Sequence, residues 1–365
     1  MFKKITGTIL VAGLALVASA QDDSTKAVTI SGSIDAYYRY NPAKGSGYAT
    51  DGTYNSYTSF TRANNSFELG MASLRADATA LSGKVGATVD LGYGHRAEEF
   101  SYNDYGAPLL QIIKQAYITY APSSHVKFTI GKFGTHVGYE LLDAPLNRNY
   151  SMSYMFTNGP FFHTGLKADF TFGKFGFMVG VTNPVDQVSA TSNVKEAIAQ
   201  FSGALANDKL KFYLNYRGYG GANSWLPDAP KSVQQLDLVL LGAISDKFNI
   251  GYNGTMQARN FEPKSYAGTD DLKGSWFGNA LYLNFDPTSS IGLTLRGELI
   301  SDKDVIYYGT KNISEVTLSV NYKVGPFTLI PELRLDNAKD EIFVKNDGTE
   351  TKATFSARLA AIYKF

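Results

Sequence analysis

The chain has no cysteine among its 365 residues, which removes disulfides, thiolate nucleophiles and thiolate metal sites together. It has almost no net charge either, with 34 Lys and Arg against 33 Asp and Glu. Nucleic-acid binders carry a basic patch or stripe, so this balance argues against such a partner. Long apolar runs are missing as well. The one apolar stretch, Ile9 to Ala18, is short of the about 20 residues that a spanning helix needs. Insertion into a membrane would therefore have to use strands. Histidine is scarce, and His95, His125, His136 and His163 show neither i,i+4 nor cysteine pairing, so no metal site is expected. Nothing implies a cofactor.

What the beginning holds is a processing signal. Lys3 and Lys4 precede the apolar stretch, and Ala18-Ser19-Ala20 forms a small-residue cleavage site before Gln21. Residues 1–20 are expected to be a cleaved export signal, with cleavage between Ala20 and Gln21. Residues 21–365 remain as a single unit. Without Lys3 and Lys4 that unit carries a net charge near −1.

Glycine (35), tyrosine (24) and phenylalanine (23) are abundant, a composition that favours strands over helices. The pattern agrees. "AVTISGSIDAYYRY" alternates Val28, Ile30, Ile34, Ala36, Tyr38 and Tyr40 with Thr29, Ser31, Ser33, Asp35 and Arg39. The closing "ATFSARLAAIYKF" sets Phe355, Leu359, Tyr363 and Phe365 against Thr354, Ser356, Arg358 and Lys364. A period of two means a strand whose two faces meet different environments. About sixteen such runs succeed one another, with eighteen as the next even count. Short turns such as Ser82-Gly83, Gly173-Lys174 and Gly325-Pro326 alternate with long segments such as 41–64 and 337–350. Of the twelve prolines only Pro331 falls inside an expected strand, where a weak ladder or a bulge is predicted.

A soluble sandwich also alternates, so three further features decide. About twelve tilted residues per strand span the height of an outer-membrane barrel's apolar belt. Aromatics gather at the turn-side ends of the apolar faces, at Tyr120, Phe172, Phe175, Phe248, Phe285, Tyr322, Phe327, Tyr363 and Phe365, as at a membrane interface. Short turns also alternate with long loops. The fold class is all-β, a transmembrane antiparallel up-and-down barrel. Leu214 and Leu293 should face lipid, Asn215 and Thr294 water, so that arginine costs little at 215.

"YNSYTSF", "GKFGTHVGYELLDAPLNRNYSMSYMFTNGPFFHTGLKADF" and the closing strand resemble the OmpL-like β-barrel porins of Gram-negative bacteria. The resemblance implies a bacterial outer-membrane location and passive diffusion of small hydrophilic solutes or ions. It leaves the cargo and any homo-oligomer open. Tyr363 and the terminal Phe365 also resemble the signal by which barrel-assembly machinery accepts its clients.

Residues 140–160 carry Leu141, Leu142, Leu146, Met152, Met155 and Phe156, more apolar surface than an exposed loop holds. This third long connection is read as folding into the lumen, with an extra hairpin or a subunit latch as the competing reading. Glu140, Asp143 and Arg148 would then sit at a constriction. The polar strand faces supply a basic wall of Arg39, Arg75, Arg96, Lys167, Arg217, Arg259, Arg296, Arg334 and Arg358, interleaved with acids such as Asp77, Asp169, Glu298 and Glu332. These charges either form a transverse field or pair across strands. Removing Glu140 and Asp143 should turn selectivity toward anions.

Other motifs fail. "GYGHRA" fits a dinucleotide fingerprint, but the "EEFSYNDYGAP" after it shows no helical period. "NDGTE" is too short for a calcium loop. His163 has no evident serine partner for hydrolysis. A docking or adhesin barrel with a closed lumen and an outer-membrane lipid hydrolase remain as alternatives. No enzyme activity is expected.

Overall fold

The computed structural model describes residues 27–43, 45–49, 54–104, 107–190, 192–221, 230–261, 273–304 and 310–365. The expected export signal and the Ala20–Gln21 cleavage point lie outside them. The first half of the wall is β1 (Ala27–Tyr40), β2 (Ser66–Ala80), β3 (Val85–Tyr93), β4 (Ile113–Ser123), β5 (Val126–Gly134), β6 (Phe162–Phe172), β7 (Phe175–Thr182) and β8 (Glu196–Leu205). The second half begins with β9 (Leu210–Gly220), β10 (Pro230–Ala243), β11 (Phe248–Phe261) and β12 (Lys273–Phe285). It continues with β13 (Ile291–Asp302), β14 (Asn312–Val324) and β15 (Phe327–Ala338). A short hairpin, β16 (Phe343–Val344) and β17 (Glu350–Thr351), precedes the last wall strand, β18 (Ala353–Lys364). Each wall strand pairs with its neighbours antiparallel, and β1 pairs with β18 to close a sixteen-stranded barrel. No described helix is long and apolar enough to cross a membrane.

The faces fall as alternation requires. Leu214 is 47% exposed on the outside, whereas Asn215 and Thr294 are buried inside. Two aromatic girdles ring the outer surface. The turn-side one holds Tyr120, Phe172, Phe285, Tyr322 and Tyr363, and a loop-side one holds Tyr40, Phe67, Tyr93 and Phe277, all exposed. Two rings separated by an aliphatic band are what a bilayer selects.

Several strands depart from the simple pattern. Between β14 and β15 the ladder runs from Ser319↔Glu332 to Tyr322↔Leu329 and skips Ile330 and Pro331, because proline has no N–H to donate. Pro331 has company, however: Pro122 lies at the end of β4 and Pro230 opens β10. The fifth strand stops at Gly134, and the chain then turns into the barrel. Helix α1 (His95–Phe100) comes directly after the "GYG" segment, where the sequence shows no helical period; α2 (Pro108–Gln111) and α3 (Tyr154–Asn158) are shorter. With six residues, α1 is too short for a dinucleotide fold. "NDGTE" is the tip of the β16–β17 hairpin.

At the seam Phe365 meets the first strand. Phe365 N–H donates to Gly32 O and Gly32 N–H to Phe365 O, both at 3.0 Å. Gly32 has no room for a Cβ, which would sit 2.6 Å from the Phe365 ring and 2.5 Å from Ser73 O. The last ring therefore packs directly on the first strand at the turn-side interface. Phe365→Ala is expected to lower the outer-membrane level and the heat-modifiable fraction on gels. Unchanged abundance and mobility would remove this role.

Candidate functional site: the segment across the lumen

Between β5 and β6, residues 135–161 join neither wall. Irregular backbone inside a protein needs a partner for every N–H and C=O, and here inward side chains of distant strands supply them. Gly138 N–H donates to Asp237 on β10 (3.0 Å) and Tyr139 N–H to Asn253 on β11 (3.3 Å). Glu332 on β15 accepts from the backbone N–H groups of Tyr150 and Ser151 at 2.8 and 3.2 Å. Glu298 on β13 accepts from those of Tyr154 and Met155 at 2.6 and 2.7 Å. The guanidiniums of Arg296 and Arg334 each donate to a carbonyl, Ser151 O and Met152 O, at 2.7 Å. Wall acids thus take the segment's donors and wall arginines its acceptors. Charge-assisted bonds of this kind are short and strong.

Side chains add anchors. Tyr150 donates its hydroxyl to Asp35 on β1 at 2.6 Å, and Tyr154 donates to Asp336 on β15 at 2.6 Å. The first anchor explains Gly70. Register slips between β1 and β2 at Asp35, leaving Gly70 unpaired, and a Cβ there would overlap the Asp35 carboxylate and approach Tyr150 Oη to 2.6 Å. Above these anchors Phe60, Phe100, Met152, Phe156, Phe161 and Phe162 form one apolar cluster. A second joins Tyr154, Met155, Trp276, Tyr282, Ile300 and Phe343. These clusters account for the apolar residues that mark the segment in the sequence.

The acids expected at a constriction go to opposite walls. Glu140 is buried and bonded to Arg296 on β13 at 2.6 Å, where Glu315 also reaches Arg296 at 2.6 Å. Asp143 meets Lys114 on β4 at 2.5 Å, and Lys114 also contacts Asp90 at 3.0 Å. Arg148 forms a two-pronged pair with Asp286 in the β12–β13 turn, at 2.8 and 3.0 Å. That pair holds the Asp286 carboxyl below the usual carboxylate range.

The basic wall is less free than the sequence suggests. Arg39 is spent on the carbonyls of Ala63, Tyr54 and Asn55. Arg217 pairs with Glu196 at 3.1 Å, Arg358 with Glu332 at 3.4 Å, and Arg259 donates to Gln257 at 2.6 Å. Arg75 pairs with Asp77 at 2.7 Å and Lys167 with Asp169 at 3.0 Å, both partly exposed. Arg96 needs correcting, because it lies on α1 and not on a strand face. It is buried between the Phe60 and Tyr150 rings, 5.0 and 5.2 Å away, and donates to Leu142 O at 3.1 Å. His163 sits by Thr135 (3.4 Å) and Glu196 (3.9 Å). Among the described residues no His, Asp and Glu cluster could hold a metal.

Space remains on two sides of the segment. A cavity of about 460 Å³ lies against β2–β6, between wall residues Asp77, Gln115, Thr119, Lys127 and Lys167 and segment residues Leu141, Asp143 and Leu146. One anchor, Lys114, escapes a reading by alternation alone, whereas Asp237 keeps the inward parity of β10. A slip between Asp90 and Leu91 turns Lys114 inward although it shares parity with the lipid-facing Ile118 and Tyr120, as a bulge does.

The loop end carries its own titratable latch. Asp186 accepts from the backbone N–H groups of Phe161 and Phe162 at 2.7 and 2.9 Å and from the Tyr102 hydroxyl at 3.1 Å. Burial nevertheless pushes its carboxyl up to about 7. A carboxyl raised in the fold contributes fully below its unfolded value, and the contribution is lost as pH rises through the folded one. Amide exchange at Phe161 and Phe162 is expected to gain protection from pH 8 to pH 5 beyond the intrinsic rate change. Asp186→Asn should abolish that extra dependence; if the variant retains it, Asp186 is not its source.

A closed sixteen-stranded wall with a loop folded across its lumen has relatives. The family described as "Putative beta-barrel porin-2, OmpL-like" matches residues 27–365. The chain belongs to this family. It is an outer-membrane porin, a sixteen-stranded barrel for passive passage across the bacterial outer membrane. Compared by sequence with curated proteins, the porin matches none. Its fold is shared with the outer membrane channel DcaP of Acinetobacter baumannii, at 12% identity and TM-score 0.63 over 95% of this chain and 99% of that one. OmpT of Vibrio cholerae, solved in a trimer form, is 12% identical with TM-score 0.60, covering 93% and 99% of the two chains. An anion-selective porin from Comamonas acidovorans is 11% identical with TM-score 0.59, covering 93% and 100%.

Proposed function

We propose that small hydrophilic solutes and ions diffuse along the β2–β6 wall, with residues 140–160 as the constriction and no catalysis. The cavity of about 460 Å³ between that wall and the segment carries this reading. Of its lining charges, Asp77 is paired with Arg75 and Lys167 with Asp169, so each has an opposite charge beside it. Such a lining orients dipolar solutes by local fields more than it excludes one sign. Lys127 is the cation facing the space without an ion pair among the described residues. Asp143 and Glu140 are the acids on the segment's side, Asp143 paired with Lys114 and Glu140 with Arg296. Asp143→Asn alone should therefore shift selectivity toward anions. Glu140→Gln should not, since Glu140 is enclosed by Arg296, Ser153 N–H and Tyr282. For biogenesis, export by residues 1–20 with cleavage after Ala20, and reading of Tyr363 and Phe365 by the assembly machinery, complete the proposal.

The aromatic packing at the loop end, Phe60, Phe100, Phe156 and Phe161, favours a second reading, a docking barrel with a closed lumen. Planar-bilayer recording separates the two. A steady current that Thr119→Trp reduces is expected, because Thr119 lines the cavity. A folded barrel without current would overturn the diffusion path.

A further inference from the structure

We propose that the lumen holds a binding site for small aromatic carboxylates on the β8–β10 side of the 135–161 segment. The proposal rests on the diffusion reading in that such a site would lie beside the solute path. A second cavity, of about 400 Å³, opens there, and its lining sets an apolar group beside polar residues such as Thr135, Asn147 and Gln200. From the segment come Leu141 and Leu146, 46% and 63% exposed. From the wall come Tyr213, Val239 and Leu241. The inward positions of β10 run Val233, Gln235, Asp237, Val239, Leu241, so the polar-inside rule fails at its turn-side end. Other inward apolar residues, such as Ile330 and Ile362 or Trp276 and Ile300, are sealed in packed clusters under the long connections. Val239 and Leu241 belong to no such cluster among the described residues and border open volume. Val239 itself is buried, so the apolar surface left facing water belongs to Leu141, Leu146 and the half-buried Leu241, and a solute that covers it gains.

The head group follows from the charge. Arg148 is the one Arg, Lys, Asp or Glu among the described residues lining this cavity. His136 also lines it, and burial lowers that imidazole to about 4, so it stays neutral. Arg148 donates from Nε to Thr294, from Nη1 to Asp286, and from Nη2 to Asp286 and Leu293 O. A guanidinium has five N–H groups, so one on Nη1 is left to meet an anionic oxygen. A flat ring between the leucines and Tyr213, with its carboxylate turned to Arg148, satisfies both halves of the lining.

The test is calorimetric titration of sodium benzoate into the porin in lipid nanodiscs, corrected for empty discs, with acetate and benzyl alcohol as comparisons and bilayer conductance measured in parallel. Benzoate should bind saturably and more tightly than either comparison. Leu241→Asn should weaken it about tenfold, the usual worth of lost apolar contact in a pocket. Arg148→Gln should abolish the preference for benzoate over benzyl alcohol while leaving the barrel heat-modifiable. Benzoate binding no better than acetate in a conducting barrel, or unaffected by Leu241→Asn, would overturn the site. Binding without conductance would instead overturn the diffusion path and support the site.

Discussion

Arginine at position 118 is expected to keep the porin from inserting, whereas arginine at 119 should leave it folded. Ile118 is 58% exposed on the outer face of β4, opposite Ala87 and Ile130. It lies five residues from the end of the strand at Ser123, so its side chain meets the hydrocarbon core. A cation there costs about 2–4 kcal/mol in a barrel, a large share of a marginal stability. Thr119 points the other way, into the cavity of about 460 Å³, where a guanidinium keeps its water. Heat-modifiable fractions across a urea refolding series into lipid would report the difference; equal loss at both positions would refute the face assignment. The pair Leu214 and Asn215 makes a poorer test than the alternation suggests. Asn215 faces inward but is buried, donating to Asp237 at 2.7 Å and accepting from Gln200 at 2.8 Å. Arginine would not be cheap there.

Replacing residues 147–153 by two glycines should raise conductance severalfold without unfolding the barrel. The change removes Tyr150, Ser151 and Met152, and with them the bonds to Glu332, Asp35 and Arg334. Buried charges left without partners are costly, but Glu332 and Arg334 have others. Arg334 keeps Asp336 at 2.8 Å, Arg358 keeps Glu332 at 3.4 Å and Arg296 keeps Glu315 at 2.6 Å. Water entering the vacated lumen solvates the rest, and the wall ladder is untouched. Single-channel recording of the heat-modifiable form decides the matter. An unchanged current would mean that the segment does not limit passage and that residues 147–153 have another role, such as holding subunits together.

Strand order, facing and the turn-side girdle are legible in the sequence because lipid imposes a period of two that little else disturbs. The anchors of the crossing segment are not, because they depend on which distant strands meet it. Lys114 illustrates the first limit: a bulge shifts parity by one, and no local residue type announces it. Arg96 illustrates the second. Its position after "VGATVDLGYG" continues a strand pattern, yet the connection folds into a six-residue helix whose arginine is held by Phe60, Tyr150 and Leu142 from other loops. Glu140 and Asp143 are recognisable as acids near basic wall residues. That one serves β13 and the other β4 is fixed by the path of the segment, which sequence spacing does not carry. The run Leu238-Val239-Leu240-Leu241, by contrast, stands in plain view as a break in alternation.

Ala36 stands opposite Ala361, and Tyr38 opposite Leu359. Every other wall pairing joins strands linked by one turn or one loop, so its loop-closure entropy is small. The seam must close a loop of more than three hundred residues, at a cost of about 5 kcal/mol before any contact forms. The β1–β18 pairing cannot form until both strands have reached the membrane. During that interval β1 and β18 are long, greasy edges open to any other strand. For this protein the hazardous step is therefore the last one, and its rate depends on how quickly two far-separated edges are brought together.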